Sequence, residues 1–262
     1  MKGIVIACPS KYELICLKNI ELLRNKYHCN LPIEIWEIGN EVNIEIKNKM
    51  KMMNDIIFKN VNDYCDNPNH WKGFQVKVFA MYHCGFDEII LCDADVTFFR
   101  NPEIIFDDSN YQRTGAYFFK DLEQWQFTNL SYANKSKFNS LDFFNKRKQF
   151  IHNLVPTITS IFPKEWSYLY DTNIPSIPVK EALQESGVVY MNKHIHKESL
   201  DHIFQLNNHH LETYKYVWGD KETFWIGCVM ANQDYYFNPV SGYMYNNCLT
   251  HDYDNSIFWK QK

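Results

Sequence analysis

The sequence predicts a single α/β domain, and three observations carry that prediction. Strand-like apolar runs alternate with segments of helical periodicity through the first half of the chain. A strand–helix–strand unit opens it, the start of a βαβ arrangement. The most strand-like run of all, Glu88-Ile89-Ile90-Leu91-Cys92, ends on two aspartates one residue apart, Asp93 and Asp95. Elements in this order build a sheet covered by helices. With 262 residues, 45% of them hydrophobic and 16% aromatic, the chain can bury one large core and is not disordered.

Taken in order, Gly3–Ala7 reads as the first strand, followed by Cys8-Pro9-Ser10 and an amphipathic helix carrying Leu14, Leu17 and Leu22. Pro32-Ile33-Glu34-Ile35-Trp36 alternates as a second strand. Residues 43–63, polar with spaced Ile and Met, read as a surface helix and loop. Phe74–His83 is helical, with Phe74, Val78 and Met81 on one face, and leads into the strand that ends on the aspartates. After Asn101-Pro102 the chain turns, and Tyr117-Phe118-Phe119 forms a short strand. Residues 121–175 are aromatic-rich and charged, with helices expected around 139–152 and 164–170. Ser186–Met191 is a β-branched strand, and Lys193–Leu211 a His-rich helix. The segment Tyr214–Trp218 and an apolar run Glu222–Met230 follow, and Ser241–Trp259 reads as a final hairpin or strand.

A net charge of −4 gives no bulk attraction for nucleic acid or an anionic membrane, so any bound phosphate must be held by local groups or a metal. The eight cysteines contain no C-x-x-C pair and several lie in apolar runs. They are expected to be reduced core residues, neither a disulfide framework nor a zinc site. The first strand begins almost at Met1 and no 18-residue apolar run follows. The expectation is a cytoplasmic, soluble chain without signal peptide or membrane anchor, of viral or bacterial type, the alternative being a fragment of an anchored protein.

Asp93 and Asp95 share a side-chain parity on an extended chain, so both carboxylates can converge on one point. Paired hard oxygens at a strand end suit Mg²⁺ or Mn²⁺. The bland alternative is a strand-end aspartate that caps the next turn. Burying unpaired carboxylates beside Leu91 and Cys92 costs several kcal/mol, which weighs against it. Two enzyme classes place an apolar strand before such a pair. Asp93-Ala94-Asp95-Val96-Thr97 fits the signature of phosphatases with an aspartate nucleophile, Asp93 attacking phosphate and Asp95 acting as acid/base. That match breaks at Phe224, where a second acid is required after Gly219-Asp220. The other class is the nucleotide-sugar glycosyltransferases.

The flanking residues resemble the fungal α-1,3-mannosyltransferase family, related to glycogenin-like retaining enzymes of the GT-A fold. The resemblance runs through Gly3-Ile4-Val5-Ile6, Leu22-Leu23-Arg24, Leu31-Pro32-Ile33-Glu34, Lys77 with Phe79-Ala80, and Phe86–Asp95. It continues in Asn101-Pro102-Glu103, Phe106-Asp107, Glu185-Ser186-Gly187, Asn192-Lys193 and Gly219–Trp225. It implies one GT-A-like domain over 1–262 with a mixed central sheet, and 121–175 as an acceptor-side insertion. It further implies a metal-dependent, retaining hexosyltransferase using a nucleotide sugar, GDP-mannose first and UDP-sugars second, on a glycan or glycoprotein acceptor. By the same resemblance Asp93 and Asp95, with Ala94 between them, hold Mn²⁺ or Mg²⁺ on the donor diphosphate. Lys77 adds positive charge, and Pro9 and Ser10 lie where the nucleoside is cradled. Glu185 and Gly187 approach the donor sugar, and Asp220, beside Lys221, orients that sugar or stabilises positive charge in the transition state. The family supplies a C-terminal histidine as third metal ligand. Here that neighbourhood reads Ile257-Phe258-Trp259-Lys260, which leaves His251 as the candidate. Rivals are the phosphatase, an inactive sugar-binding protein of the same fold, and nucleotidyl transfer, for which Ala7-Cys8-Pro9-Ser10 lacks a Gly-rich loop.

Overall fold

The computed structural model describes residues 1–122, 184–214 and 217–261. In chain order it contains β1 (Lys2–Ala7), α1 (Glu13–Asn25), β2 (Ile33–Glu37), α2 (Ile44–Lys51), β3 (Ile56–Asn60), α3 (Gln75–His83), β4 (Glu88–Asp93), β5 (Val96–Phe98), α4 (Ser109–Thr114) and β6 (Ala116–Leu122). Then follow β7 (Gln184–Asn192), α5 (Lys197–Asn208), α6 (His210–Thr213), α7 (Thr223–Met230), β8 (Tyr236–Tyr245), β9 (Cys248–Tyr253) and β10 (Ser256–Gln261).

The strands form one mixed sheet in the order β3-β2-β1-β4-β7-β6-β8-β9-β10-β5. β3, β2, β1 and β4 run parallel, whereas β7 is antiparallel to both β4 and β6. The reason is local. β1 and β4 read as nearly continuous apolar runs because helices cover both of their faces. Alternate residues enter opposite layers: Val5, Ile89 and Leu91 pack with α3, α5 and α7, while Ile4, Ile6, Ile90 and Cys92 pack toward α1. Such double-sided burial stabilises by roughly 25 cal/mol per Å² of apolar surface.

Residues 43–63 differ from the sequence expectation, since a helix (α2) is followed by an edge strand, β3. Ile57 on β3 is 46% exposed and the strand ends Lys59-Asn60, so no apolar alternation betrays it. Asn43 caps α2 by accepting a hydrogen bond from the Glu45 amide at 2.9 Å. The tail is three strands, β8 to β10, rather than one hairpin, with left-handed Asn246-Asn247 and Asp254-Asn255 at its two turns. The insertion proposed over 121–175 lies outside the described residues apart from Asp121 and Leu122, as do the helices expected at 139–152 and 164–170. All eight cysteines are free thiols, as expected. Among the described residues no helix is long and apolar enough to cross a membrane.

Candidate active site

Parallel register sets Asp93 level with Ala7 at the carboxyl edge of the sheet. There β4 stops and the chain turns into β5. Asn19 of α1 pins that turn: its Nδ2 donates to the Ala94 carbonyl at 3.3 Å, and its Oδ1 accepts from Thr97 Oγ1 at 2.8 Å. Ala94 is itself buried among apolar residues, so it serves the turn and does not line the cleft. The turn brings Asp95 beside Asp93, and the two carboxylates share one partner. Gln261 Nε2, on β10, donates to Asp93 Oδ2 at 3.1 Å and to Asp95 Oδ1 at 3.0 Å.

Two lysines, Lys77 buried and Lys221 partly buried, organise the remaining acids. Lys77, on α3, donates to Asp93 Oδ1 at 2.9 Å and to the Ser186 carbonyl and hydroxyl at 2.8 and 3.0 Å, and it pairs with Asp220 Oδ2 at 3.0 Å. Lys221 donates to Asp121 Oδ2 at 2.7 Å and Glu185 Oε2 at 2.5 Å, while Glu185 Oε1 accepts from the Gly187 amide at 2.9 Å. Gly219 has φ +62°, and a Cβ there would come within 2.9 Å of the Phe74 ring. Glycine thus permits the turn that delivers Asp220 and Lys221.

The charges are unbalanced. Five carboxylates (Asp93, Asp95, Asp121, Glu185 and Asp220) face two ammonium groups. Burial, and then the charge of Asp93, pushes Asp95 up to about 6. Burial also raises Asp220 to about 6 despite Lys77 beside it. Burial opposes ionisation of Glu185 too, but Lys221 outweighs it and holds that carboxyl below its ordinary value. Burial works against the charge on Lys77 and Lys221, yet their carboxylate partners raise both above the ordinary lysine value. A pair of hard oxygens with a surplus of negative charge and a neutral carboxamide beside it is chemistry that fits a divalent cation. Asp93 and Asp95 could hold it.

A cleft of about 320 Å³ opens over these groups, floored by Lys77, Asp93, Glu185, Asp220, Lys221 and Gln261. Its rim carries Phe74, Trp218, Met244 and Leu249. Phe74 and Trp218 are 60% and 44% exposed.

Residues 1–252 match the protein family described as "Mannosyltransferase putative". The chain belongs to this mannosyltransferase family. The α-1,3-mannosyltransferase MNT3 of Saccharomyces cerevisiae is 28% identical over 92% of this chain and 39% of its own length. A Candida albicans protein named "Putative alpha-1,3-mannosyltransferase MNN15" is 31% identical over 71% of this chain and 24% of its own length. The chain thus spans about a quarter to two fifths of the length of these curated relatives. Among solved structures, the mannosyltransferase Ktr4p of S. cerevisiae in complex with GDP is similar with a TM-score of 0.52 at 10% identity, over 95% of this chain and 71% of that one. Core-mannan synthase A of Aspergillus fumigatus in its Mn/GDP form gives 0.50 at 11% identity, over 98% and 80%. At those identities the likeness is one of fold, the GT-A fold expected from the sequence.

Of the residues singled out in the sequence, Lys77, Asp93, Glu185, Asp220 and Lys221 line the cleft, and Asp95 joins them through Gln261. Pro9 and Ser10 sit just past β1, along the same sheet edge as Asp93, but do not line the cleft. Gly187 lies beneath it, where a Cβ would be 2.6 Å from Gln261 Oε1 and 3.2 Å from the Trp259 ring. His251 is not with the aspartates. It is fully buried on β9, stacked on Trp259 at 4.1 Å, and burial lowers it to about 3 even with Glu185 nearby. An imidazole sandwiched against an indole inside the sheet packing cannot reach the carboxylate pair. Among the described residues no third His, Cys, Asp or Glu completes a metal cluster. Gln261 was missed because a glutamine near a chain end carries no motif. Its one signal is parity with Trp259 on the last strand. Ser186 and Asp121 were missed because each meets its lysine from a distant segment of the chain.

Proposed function

We propose that the protein is a metal-dependent, retaining mannosyltransferase that moves mannose from GDP-mannose to a glycan or glycoprotein acceptor with an α-linkage. One observation carries this reading: Asp93 ends a central strand on the floor of a charged cleft with Asp95 beside it on the next turn, within a chain that matches a mannosyltransferase family over residues 1–252. Neighbours of the same fold include a Mn/GDP form, which supports guanosine diphosphate and Mn²⁺ as first choices.

In this reading Mn²⁺ or Mg²⁺ held by Asp93 and Asp95 supplies Lewis-acid stabilisation of the diphosphate leaving group. Lys77, already between Asp93 and Asp220, brings a second positive charge to the phosphate side of the cleft. Glu185, kept ionised by Lys221, and Asp220 present negative charge where an oxocarbenium-like transition state becomes positive. The exposed rings of Phe74 and Trp218 suit stacking on an acceptor sugar at the rim. The phosphatase alternative has no acid at Phe224, which is buried in the core of α7.

Calorimetry with GDP-mannose and UDP-sugars, with and without Mn²⁺, together with labelled mannose transfer to α-mannosides, tests the reading. Metal-dependent binding of GDP-mannose that Asp93→Ala plus Asp95→Ala abolishes is the expected result. If no nucleotide sugar binds in the presence of metal, the proposal fails.

A further inference from the structure

We propose that Gln261 is the third protein ligand of the divalent cation held by Asp93 and Asp95, through its carboxamide oxygen, and that the same amide bridges the two carboxylates when the cation is absent. The inference rests on the metal reading above and goes beyond it to the ligand set. Its basis is the placement of the amide. Gln261 Nε2 is within hydrogen-bond distance of one oxygen of each aspartate, so the amide lies where a shared positive charge belongs. A cation bound by both carboxylates displaces that N–H group. The terminal torsion of glutamine is broad and roughly two-fold, so exchanging NH₂ for oxygen needs no backbone movement.

Two further features hold the side chain in place. β10 pairs antiparallel with β5, Gln261 opposite Val96, so the strand carrying the amide is hydrogen-bonded to the strand that begins one residue after Asp95. Gly187 leaves the space beneath, since any side chain there would strike Gln261 Oε1. Among the described residues no other acid or imidazole completes the set. His251 is packed on Trp259, and the described residues offer no third His, Cys, Asp or Glu.

Two carboxylates and a carboxamide make an all-oxygen set, which discriminates weakly between Mg²⁺ and Mn²⁺. A nitrogen ligand at the same position favours Mn²⁺ over Mg²⁺. The test uses the full chain with Mn²⁺ alone as probe. Binding is followed by loss of the free-ion paramagnetic resonance signal, and nitrogen coupling is read by pulsed resonance. Gln261→Ala should weaken Mn²⁺ binding by about tenfold or more. Gln261→His should retain binding, acquire the coupling of a metal-bound imidazole, and raise the Mn²⁺:Mg²⁺ affinity ratio. Wild-type affinity in Gln261→Ala, or bound Mn²⁺ without imidazole coupling in Gln261→His, overturns the inference alone. If the wild type binds no Mn²⁺, or Asp95→Asn binds it as tightly as the wild type, the metal reading falls and the inference with it. The histidine variant keeps the question decidable should the alanine variant fold poorly.

Discussion

Replacing Asp220 by asparagine should stabilise the protein above pH 6 while removing the mannosyl transfer proposed for it. Asp220 is 2% exposed, and its folded value of about 6 stands above an ordinary 3.8. The folded state therefore binds this proton more tightly than the unfolded chain does. Stability is highest while both states are protonated, falls as pH rises through the window from 3.8 to about 6, and is flat beyond it. A shift of about two units at ~1.4 kcal/mol each amounts to about 3 kcal/mol forfeited near neutral pH. Asparagine keeps the shape without the charge, and Lys77 retains Asp93 and both oxygens of Ser186. Urea unfolding of both proteins in EDTA should find Asp220→Asn ahead by about 2–3 kcal/mol near pH 7.5. The margin should shrink by about 1.4 kcal/mol near pH 5, where the wild-type carboxyl is mostly protonated. A difference that does not change between those pH values refutes the argument. So does a variant less stable than wild type near pH 7.5.

His251→Phe should leave Mn²⁺ binding intact and flatten the loss of thermal stability below pH 6.5. The folded imidazole, lowered to about 3, resists the proton that the unfolded chain accepts; an unchanged acid limb in melting curves would count against this. Lys77→Met strands Asp93, Asp220 and the Ser186 carbonyl, and should cost about 3–5 kcal/mol in denaturant titrations together with donor binding by calorimetry. Gly187→Ala drives a methyl into Gln261 Oε1 and the Trp259 ring, and should cost about 1–3 kcal/mol and weaken Mn²⁺ binding. Wild-type values for both would mean that β10 yields there without consequence.

The apolar runs at Ile4–Ile6 and Ile89–Leu91 announced their strands because burial on both faces demands apolar residues at every position. β3 did not, since one of its faces is wet. Asp93 and Asp95 were legible as acids closing an apolar strand, whereas Lys77, Glu185 and Asp220 stood out only through the resemblance to a known family. What joins them was not: Ser186 meets Lys77 across 109 residues, and Gln261 meets Asp93 across 168. Such pairings are set by strand order in the sheet, and a linear pattern holds no record of which distant strand becomes a neighbour. His251 illustrates the converse, a plausible ligand by type and position that the pleat turns toward Trp259.

The antiparallel match of β10 to β5, Trp259 opposite Phe98 and Gln261 opposite Val96, sets which residue of β10 stands beside the aspartates. Strand faces alternate, so a slip of one residue exchanges the side that looks toward the aspartates. The sequence neighbours of Gln261 are Lys260 and Lys262. A misregistered strand would offer the carboxylates an ammonium group in place of an amide, cancelling one of their two charges and opposing a divalent ion. Cation uptake would thus depend on β10 pairing with β5 in this one frame.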